Sequence, residues 1–492
     1  MRYEGGCSTV VVGKAASATG RVLVGHNEDD DISLVQVHSV PRKRHEPGET
    51  ISFGDRPDVK IPQAGETLAF YWSEVRRPGG ISFGDSFFNE CGVAIVTNSC
   101  NPGKTPGETD AEKEAFLAEQ GLGYGVRRLL GERAHSAREG LDIIIELVEK
   151  YGYFSGRCYQ IADKDECWAV QLTRGKYLAA KRVPDDHVYF MPNHYTIHAL
   201  EPSDKENFYY TPGIVENAIA NGWYEPAIPG DYSDFDFAKA YQVEGLRPYN
   251  EMRTRNAWPL LGFETEWLAC EAAGDVRPFS FKAHRKYTID DCKALLRTHY
   301  EGREDFKSEG DPHQKLDDPY TICCGSTVES TVFDFADDPA ACCMYRTWRK
   351  PCTNPYVPIF CGSLKALPGY AWMSADEADT THFDPPAAEF NYQPGAVYWN
   401  AQNLIWQTEL DYGFARAILA PEIAKIEKAW DGEVREARSR YEALKAQDAQ
   451  LACEYLSSFS EAKAIFAAHW LLRMTQTIGN RRYLRNQGMP EE

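Results

Sequence analysis

Cys7 stands behind the short leader Met1-Arg2-Tyr3-Glu4-Gly5-Gly6 and ahead of Ser8-Thr9-Val10-Val11-Val12. If the bond between Gly6 and Cys7 is cut, one residue carries both a thiol and a free α-amine. The ordinary pKa of such an amine, roughly 7.7 to 8.0, suits a general base near neutral pH. The chemistry would be acyl transfer, with nucleophile and base in a single amino acid. Two glycines before the thiol leave the preceding carbonyl unhindered and free to take the strained dihedrals that intramolecular attack requires. The run His26-Asn27-Glu28-Asp29-Asp30-Asp31 adds carboxylates that could hold the new amine.

The elements that must bring these groups together read as a hairpin. Val10, Val11 and Val12 are β-branched and predict a strand; residues 13–20 predict a turn region, and 21–25 a second strand. The acidic run follows at the far end of that second strand. A hairpin returns its far end to its beginning, so a carboxylate from this run falls near the α-amine of Cys7.

With 492 residues the chain can bury a large core, and its net charge of −20 and pI near 5.1 argue against nucleic acid or an anionic membrane as partner. No apolar run reaches the roughly 18 residues that span a bilayer, and six residues before Cys7 cannot hold a signal-peptide core of about seven, so the expected location is cytoplasmic. The fourteen cysteines include the pairs Cys323-Cys324 and Cys342-Cys343 but no C-x-x-C spacing, and the twelve histidines form no H-E-x-x-H. They read as reduced, mostly buried thiols, with no metal and no cofactor expected.

Further along, strands are predicted at 32–40, 67–72, 158–162, 167–173, 177–183 and 187–190. A strand–turn–strand unit is predicted over 87–98. Helical sequence fills most of 111–151, where Ser136 and Glu139 suggest a capping box and Leu141, Ile144, Ile145 and Val148 share one face. Short helices are expected at 212–221 and 235–241, and longer ones at 288–300, 422–447 and 460–477. Proline-rich loops are expected to run to Pro394. Meandering strands beside paired helices, with no Gly-rich phosphate loop, indicate α+β with antiparallel sheets. The expected organisation is a propeptide over 1–6 and a single domain over 7–492, its last helices serving as a packing or oligomer surface.

Cys7-Ser8-Thr9 with Gly13-Lys14, Asn27-Glu28-Asp29, Asn89-Glu90-Cys91-Gly92-Val93-Ala94, Ile161-Ala162-Asp163-Lys164-Asp165-Glu166, Pro192-Asn193 and Asp234-Phe235-Asp236-Phe237 occur in that order. Together they resemble the dipeptidase A family of cysteine peptidases. That family belongs to the N-terminal-nucleophile hydrolases and is distantly similar to bile salt hydrolases and penicillin V acylases. The resemblance implies a four-layer αββα fold with a C-terminal helical extension. It also implies cleavage of dipeptides through a thioester on Cys7 after removal of residues 1–6. It casts Asp29 as the carboxylate holding amine and substrate, Asn193 as the side-chain donor of an oxyanion hole, and Arg253, with Arg255 as its competitor, as the cation steadying the nucleophile. Asn98 would contribute to substrate binding.

Two departures stand out. His26 replaces an arginine usual in the relatives, and Gly302-Arg303-Glu304-Asp305 lacks the usual threonine. Glu28, Asp30 and Asp31 are alternative partners for a substrate amine. The implied partners are small peptides, with room for a homo-oligomer. The rival readings are an acylase for N-acyl amino acids or related linear amides, and a catalytically silent scaffold of the same fold.

Overall fold

The β-branched run behind Cys7 forms the strand Ser8–Val12, the third strand of a seven-stranded sheet. The computed structural model describes residues 6–30, 33–80, 84, 86–100, 103–119, 121–243, 248–274, 277–306, 310–313 and 320–490. Across the first sheet the order is Ser280–Lys282, His187–Met191, Ser8–Val12, Leu23–Asp29, Thr327–Asp334, Cys343–Trp348 and Val357–Phe360. A second sheet of eight runs Phe208–Tyr210, Leu178–Arg182, Cys167–Leu172, Arg157–Ala162, Ala94–Ser99, Ser86–Asn89, Phe70–Arg76 and Leu34–Val40. Every pairing in both is antiparallel. The fold is therefore mixed, with antiparallel sheets and helices.

Alternation along the strands divides the apolar residues into three cores. Val11 and Val24 of the first sheet meet Val35, Val37, Val96 and Ala169 of the second in one cluster. Val10, Val12 and Leu23, on the opposite face, pack with Trp258, Leu295 and Leu296 of helices Pro248–Leu260 and Ile289–Leu296. The far face of the second sheet packs Trp72, Ile95 and Val170 against Leu129, Leu130, Ile144 and Val148 of helices Val126–Arg133 and Ala137–Tyr151. Fully burying each such side chain contributes about 1.5–3 kcal/mol. Gly25 allows the close approach of helix Ile289–Leu296: a Cβ there would lie 3.1 Å from Leu296 Cδ1 and 3.3 Å from Cys292 Cβ.

Several boundaries differ from expectation. The second strand does not end at Gly25 but runs from Leu23 to Asp29, so most of the acidic run lies within it. Pairing on both sides, with Ser8–Val12 and Thr327–Asp334, overrides the poor strand propensity of Asn27 and Asp29. Ser136 does cap its helix through Glu139 N, yet Glu139 returns its carboxylate to the N–H of His135, so the box is not reciprocal. Thr288 and Asp291 do form a full capping box. Helices Pro248–Leu260, Glu264–Ala273 and Val397–Glu409 were not expected, nor was strand Val357–Phe360 within the proline-rich region. The helix expected from residue 422 begins ten residues earlier, at Tyr412, capped by Asp411, with Pro421 inside it.

Two long helices, Tyr412–Lys445 and Ala449–Asn486, close the chain. They pack on the chain itself: Trp430, Trp470, Leu471 and Ile478 enter the cluster between the sheets, and Ala449–Asn486 lies against edge strand Val357–Phe360. Glu427 anchors them by a bidentate pair with Arg297, at 2.8 and 2.9 Å, and accepts the Tyr356 N–H at 2.8 Å. Among the described residues no helix is long and apolar enough to cross a membrane.

Candidate active site

Cys7 sits at the head of the Ser8–Val12 strand and is only 5% exposed. Ser8 pairs with Asn27 and Thr9 with His26, and strand alternation sends the side chains of these residues to two faces. Thr9, His26 and Glu28 turn toward the second sheet. Asn27 turns toward the helices, its Nδ2 donating to the carbonyls of Leu296 and Ile322 at 2.8 and 3.0 Å.

On the inter-sheet side a chain of hydrogen bonds fixes the imidazole. Asn98 Nδ2 donates to Met191 O at 3.2 Å, which leaves Asn98 Oδ1 to accept from the Thr9 hydroxyl at 2.7 Å. The hydroxyl proton is thereby used, so the 2.8 Å contact between Thr9 Oγ1 and His26 Nδ1 requires the ring to donate from Nδ1. His26 Nε2 then faces Glu28 Oε2 at 3.6 Å, and the Cys7 thiol points to the same oxygen at 3.7 Å. Protonation of Nε2 would turn that approach into a buried ion pair beside the thiol.

On the other side everything converges on Arg253, which helix Pro248–Leu260 buries to 2% exposure. Its Nη1 donates to the carbonyl of Gly6, to Cys7 O at 2.8 Å and to Ser8 Oγ at 3.1 Å. Nη2 donates to Asn193 Oδ1 at 2.7 Å and Asn250 Oδ1 at 2.9 Å. The Tyr249 ring stacks 5.2 Å from the guanidinium. Asp29 Oδ2 lies 3.9 Å from Nη1, while its Oδ1 accepts from Thr327 Oγ1 at 2.7 Å. Burial pushes the Asp29 carboxyl up to about 7, outweighing the nearby cation and the hydroxyl bond.

Asn193, just past strand His187–Met191, is clamped by Asn250: Asn250 Oδ1 accepts its N–H at 3.1 Å and Asn250 Nδ2 donates to its carbonyl at 3.0 Å. With Asn193 Oδ1 held by Arg253, Nδ2 is the end of the amide left to donate elsewhere. Its neighbour His194 is pushed down to about 3 by burial and by Arg277, so it is neutral at ordinary pH.

Cys7, Asp29, Asn193 and Arg253 therefore share one cluster, and His26 and Asn98 join it through Thr9. Arg255 does not: it is half exposed and held by Asp305 at 2.7 and 2.8 Å. The same departing loop places Arg303 Nε on the buried Asn256 Oδ1 at 2.8 Å, so it grips the helix that carries Arg253. Asp30 pairs with Arg77 at 3.7 Å; Asp31 and Met1 to Gly5 lie outside the described residues. Thr9, Asn250 and Thr327 were not singled out in the sequence. Asn250 had a signal, three residues before Arg253 on one helix face, whereas Thr327 lies 298 residues from Asp29 and had none.

Gly6 occupies the space over this cluster. A Cβ built on it would fall 2.1 Å from Asn193 Oδ1 and 2.3 Å from Arg253 Nη2. A cavity of about 490 Å³, lined by Phe190, His194, Tyr195, Thr254, Trp258 and Arg277 among others, lies along the same strand and helix, but Cys7 is not part of its wall. Chemically, a thiolate on Cys7 has the carbonyl of residue 6 beside it, and the oxygen that would take the charge is already held by a cation.

The model of peptidase family C69 matches residues 6–384. A probable dipeptidase of Latilactobacillus sakei is 24% identical over 427 residues, 83% of this chain and 82% of that protein. Dipeptidase A of Lactobacillus helveticus is 26% identical over 326 residues, 63% of this chain and 65% of that protein. Among solved structures, penicillin V acylase from Agrobacterium tumefaciens aligns with a TM-score of 0.33 and 13% identity, covering 72% of this chain and 86% of that one.

Proposed function

The chain belongs to peptidase family C69, and from that we propose that it is a dipeptidase whose nucleophile is Cys7, bared by loss of residues 1–6. The observation that carries the reading is the grip of Arg253 on the carbonyls flanking the Gly6–Cys7 bond. In the first reaction the Cys7 thiolate attacks the Gly6 carbonyl carbon. Charge gathers on the oxygen beside Arg253, the Cys7 nitrogen takes a proton and leaves, and water hydrolyses the resulting thioester. Residue 6 departs as a carboxylate.

The space that Gly6 vacates is the site for a dipeptide's scissile carbonyl. The new α-amine then takes the thiol proton, a second thioester forms, the amine of the second amino acid leaves, and water releases the first. Asn193 Nδ2 supplies the hydrogen bond to the developing oxyanion. Asp29 and Arg253 set the charge around the new terminus. Glu28, on the thiol's own face, is the carboxylate of the acidic run best placed for the substrate's free amine. The three cores, helix on sheet on sheet on helix, support the four-layer αββα fold of N-terminal-nucleophile hydrolases. Fourteen free cysteines fit a reducing, cytoplasmic setting.

Intact-mass analysis joined to an activity panel tests this. The active protein should start at Cys7, cleave dipeptides in preference to N-acyl amino acids, and lose turnover in Cys7→Ser. Full activity with the leader attached, or preference for acyl substrates, overturns it.

A further inference from the structure

Apart from the Cys7 group, which belongs to the proposed reaction centre, one other set of donors converges among the described residues. His299, His313, Cys323 and Cys352 are all buried, and their four ligand atoms lie within 4.8 Å of one another. We propose that these four residues bind one zinc ion in a tetrahedral, structural site.

The distances fit a single ion. His299 Nε2 and His313 Nε2 are 3.0 Å apart, and His313 Nε2 lies 3.6 Å from Cys323 Sγ and 3.3 Å from Cys352 Sγ. A tetrahedron with Zn–N near 2.05 Å and Zn–S near 2.3 Å requires about 3.3 Å between nitrogens and about 3.6 Å between nitrogen and sulfur. The outer contacts fit as well. His299 Nδ1 meets Glu301 Oε1 at 2.9 Å and His313 Nδ1 meets Asp311 Oδ1 at 2.7 Å. Each carboxylate accepts a hydrogen bond from Nδ1–H, so a neutral ring at either position aims its Nε2 lone pair inward, the arrangement that orients metal-binding histidines. Two such nitrogens 3.0 Å apart, beside two sulfurs, need a proton or a metal ion between them.

Binding would release the two thiol protons to solvent, and two thiolates neutralise a divalent cation, which suits a buried site. Two sulfurs and two imidazoles at tetrahedral spacing select zinc over calcium or magnesium, which take oxygen ligands. Four protein ligands leave no open position, so the ion is structural. The Tyr412 ring, at the start of helix Tyr412–Lys445, meets both imidazoles edge-on at 5.9 and 5.4 Å.

The ligands come from two connections between elements, widely spaced along the chain, so no C-x-x-C or H-E-x-x-H pattern announces them. One follows helix Ile289–Leu296, one precedes strand Thr327–Asp334, one follows strand Cys343–Trp348, and His313 comes from the intervening loop. Cys323 lies between Ile322, whose carbonyl holds Asn27, and Cys324, whose N–H donates to the Thr327 hydroxyl that holds Asp29. The ion would brace the wall of the catalytic cluster without touching the substrate.

The test is metal analysis of the purified full-length chain, followed by cobalt replacement. About one zinc per chain is expected in the parent and in Cys270→Ser, and less than a tenth of that in Cys352→Ser and His313→Ala. Cobalt(II) in the parent should show thiolate-to-metal charge transfer and the strong visible bands of a tetrahedral site, a readout that stands even if the variants do not fold. A parent chain that neither contains zinc nor takes it up, a cobalt spectrum without thiolate bands, or variants that retain full zinc would each overturn the assignment.

Discussion

Replacing Gly6 with alanine adds one methyl group at a place where the precursor has no room for it. The new Cβ would meet Asn193 Oδ1 at 2.1 Å and Arg253 Nη2 at 2.3 Å. Neither can withdraw easily, because they bond each other at 2.7 Å and Asn250 holds both. Residue 6 must move instead, and its carbonyl then leaves Arg253 Nη1. Losing one hydrogen bond to a charged group costs about 1.5–3 kcal/mol. Applied to the step in which that oxygen becomes anionic, the loss slows leader removal roughly 10- to 150-fold. The assay is intact mass against time after cell-free synthesis, with the leader-bearing and shortened chains resolved in one spectrum. Once shortened, Gly6→Ala protein is identical to the parent and must show the same kcat/KM. Maturation of Gly6→Ala at the parental rate would refute the reasoning, either because Arg253 does not act in cleavage or because a separate protease performs it.

Three other outcomes follow from the same geometry. Asn193→Ala should lower dipeptide kcat by about 10²–10³ with a smaller change in KM, as measured by steady-state kinetics, because an oxyanion donor acts in the transition state. Thr9→Val removes the hydroxyl that holds the His26 tautomer; kcat/KM should fall about tenfold, the worth of one or so kcal/mol, and the pH–rate profile should shift, whereas unchanged profiles would separate His26 from the reaction. In the leader-bearing Cys7→Ala chain, Asp29 holds its proton up to about 7, against an ordinary value of 3.8. Its stabilising contribution is complete below pH 4 and lost as pH rises through 7, so Asp29→Asn should gain on its parent in urea midpoint between pH 5 and pH 8. A constant difference across that range would contradict the buried carboxyl.

The grouping of the candidate site was more legible than the scaffold around it. A cysteine at a strand head with two glycines before it is visible in one dimension, and the strands that cross the sheets show in their β-branched, alternating residues. Helix Pro248–Leu260 did not show because it turns Asn250, Arg253, Thr254 and Asn256 inward beside Tyr249, Ala257 and Trp258, and these polar residues break up the apolar stripe that periodicity would find. The same polar demand carried strand Leu23–Asp29 past Gly25 through His26 and Asn27, against local propensity. Thr327 and the four residues of the proposed zinc site belong together only after folding, since no spacing rule connects positions so far apart.

The helical pair at the end of the chain lies beyond residue 384, where the family match stops. Its Trp470, Leu471 and Ile478 nevertheless complete the same interior as Val11, and Glu427 satisfies Arg297 and the Tyr356 N–H from across the molecule. Trimming an expression clone to the matched segment would uncover the flank of an edge strand and leave the half-buried Arg297 without its carboxylate, so such a product should collect in inclusion bodies. Shortening for crystallisation is safer at the exposed tip beyond Asn486.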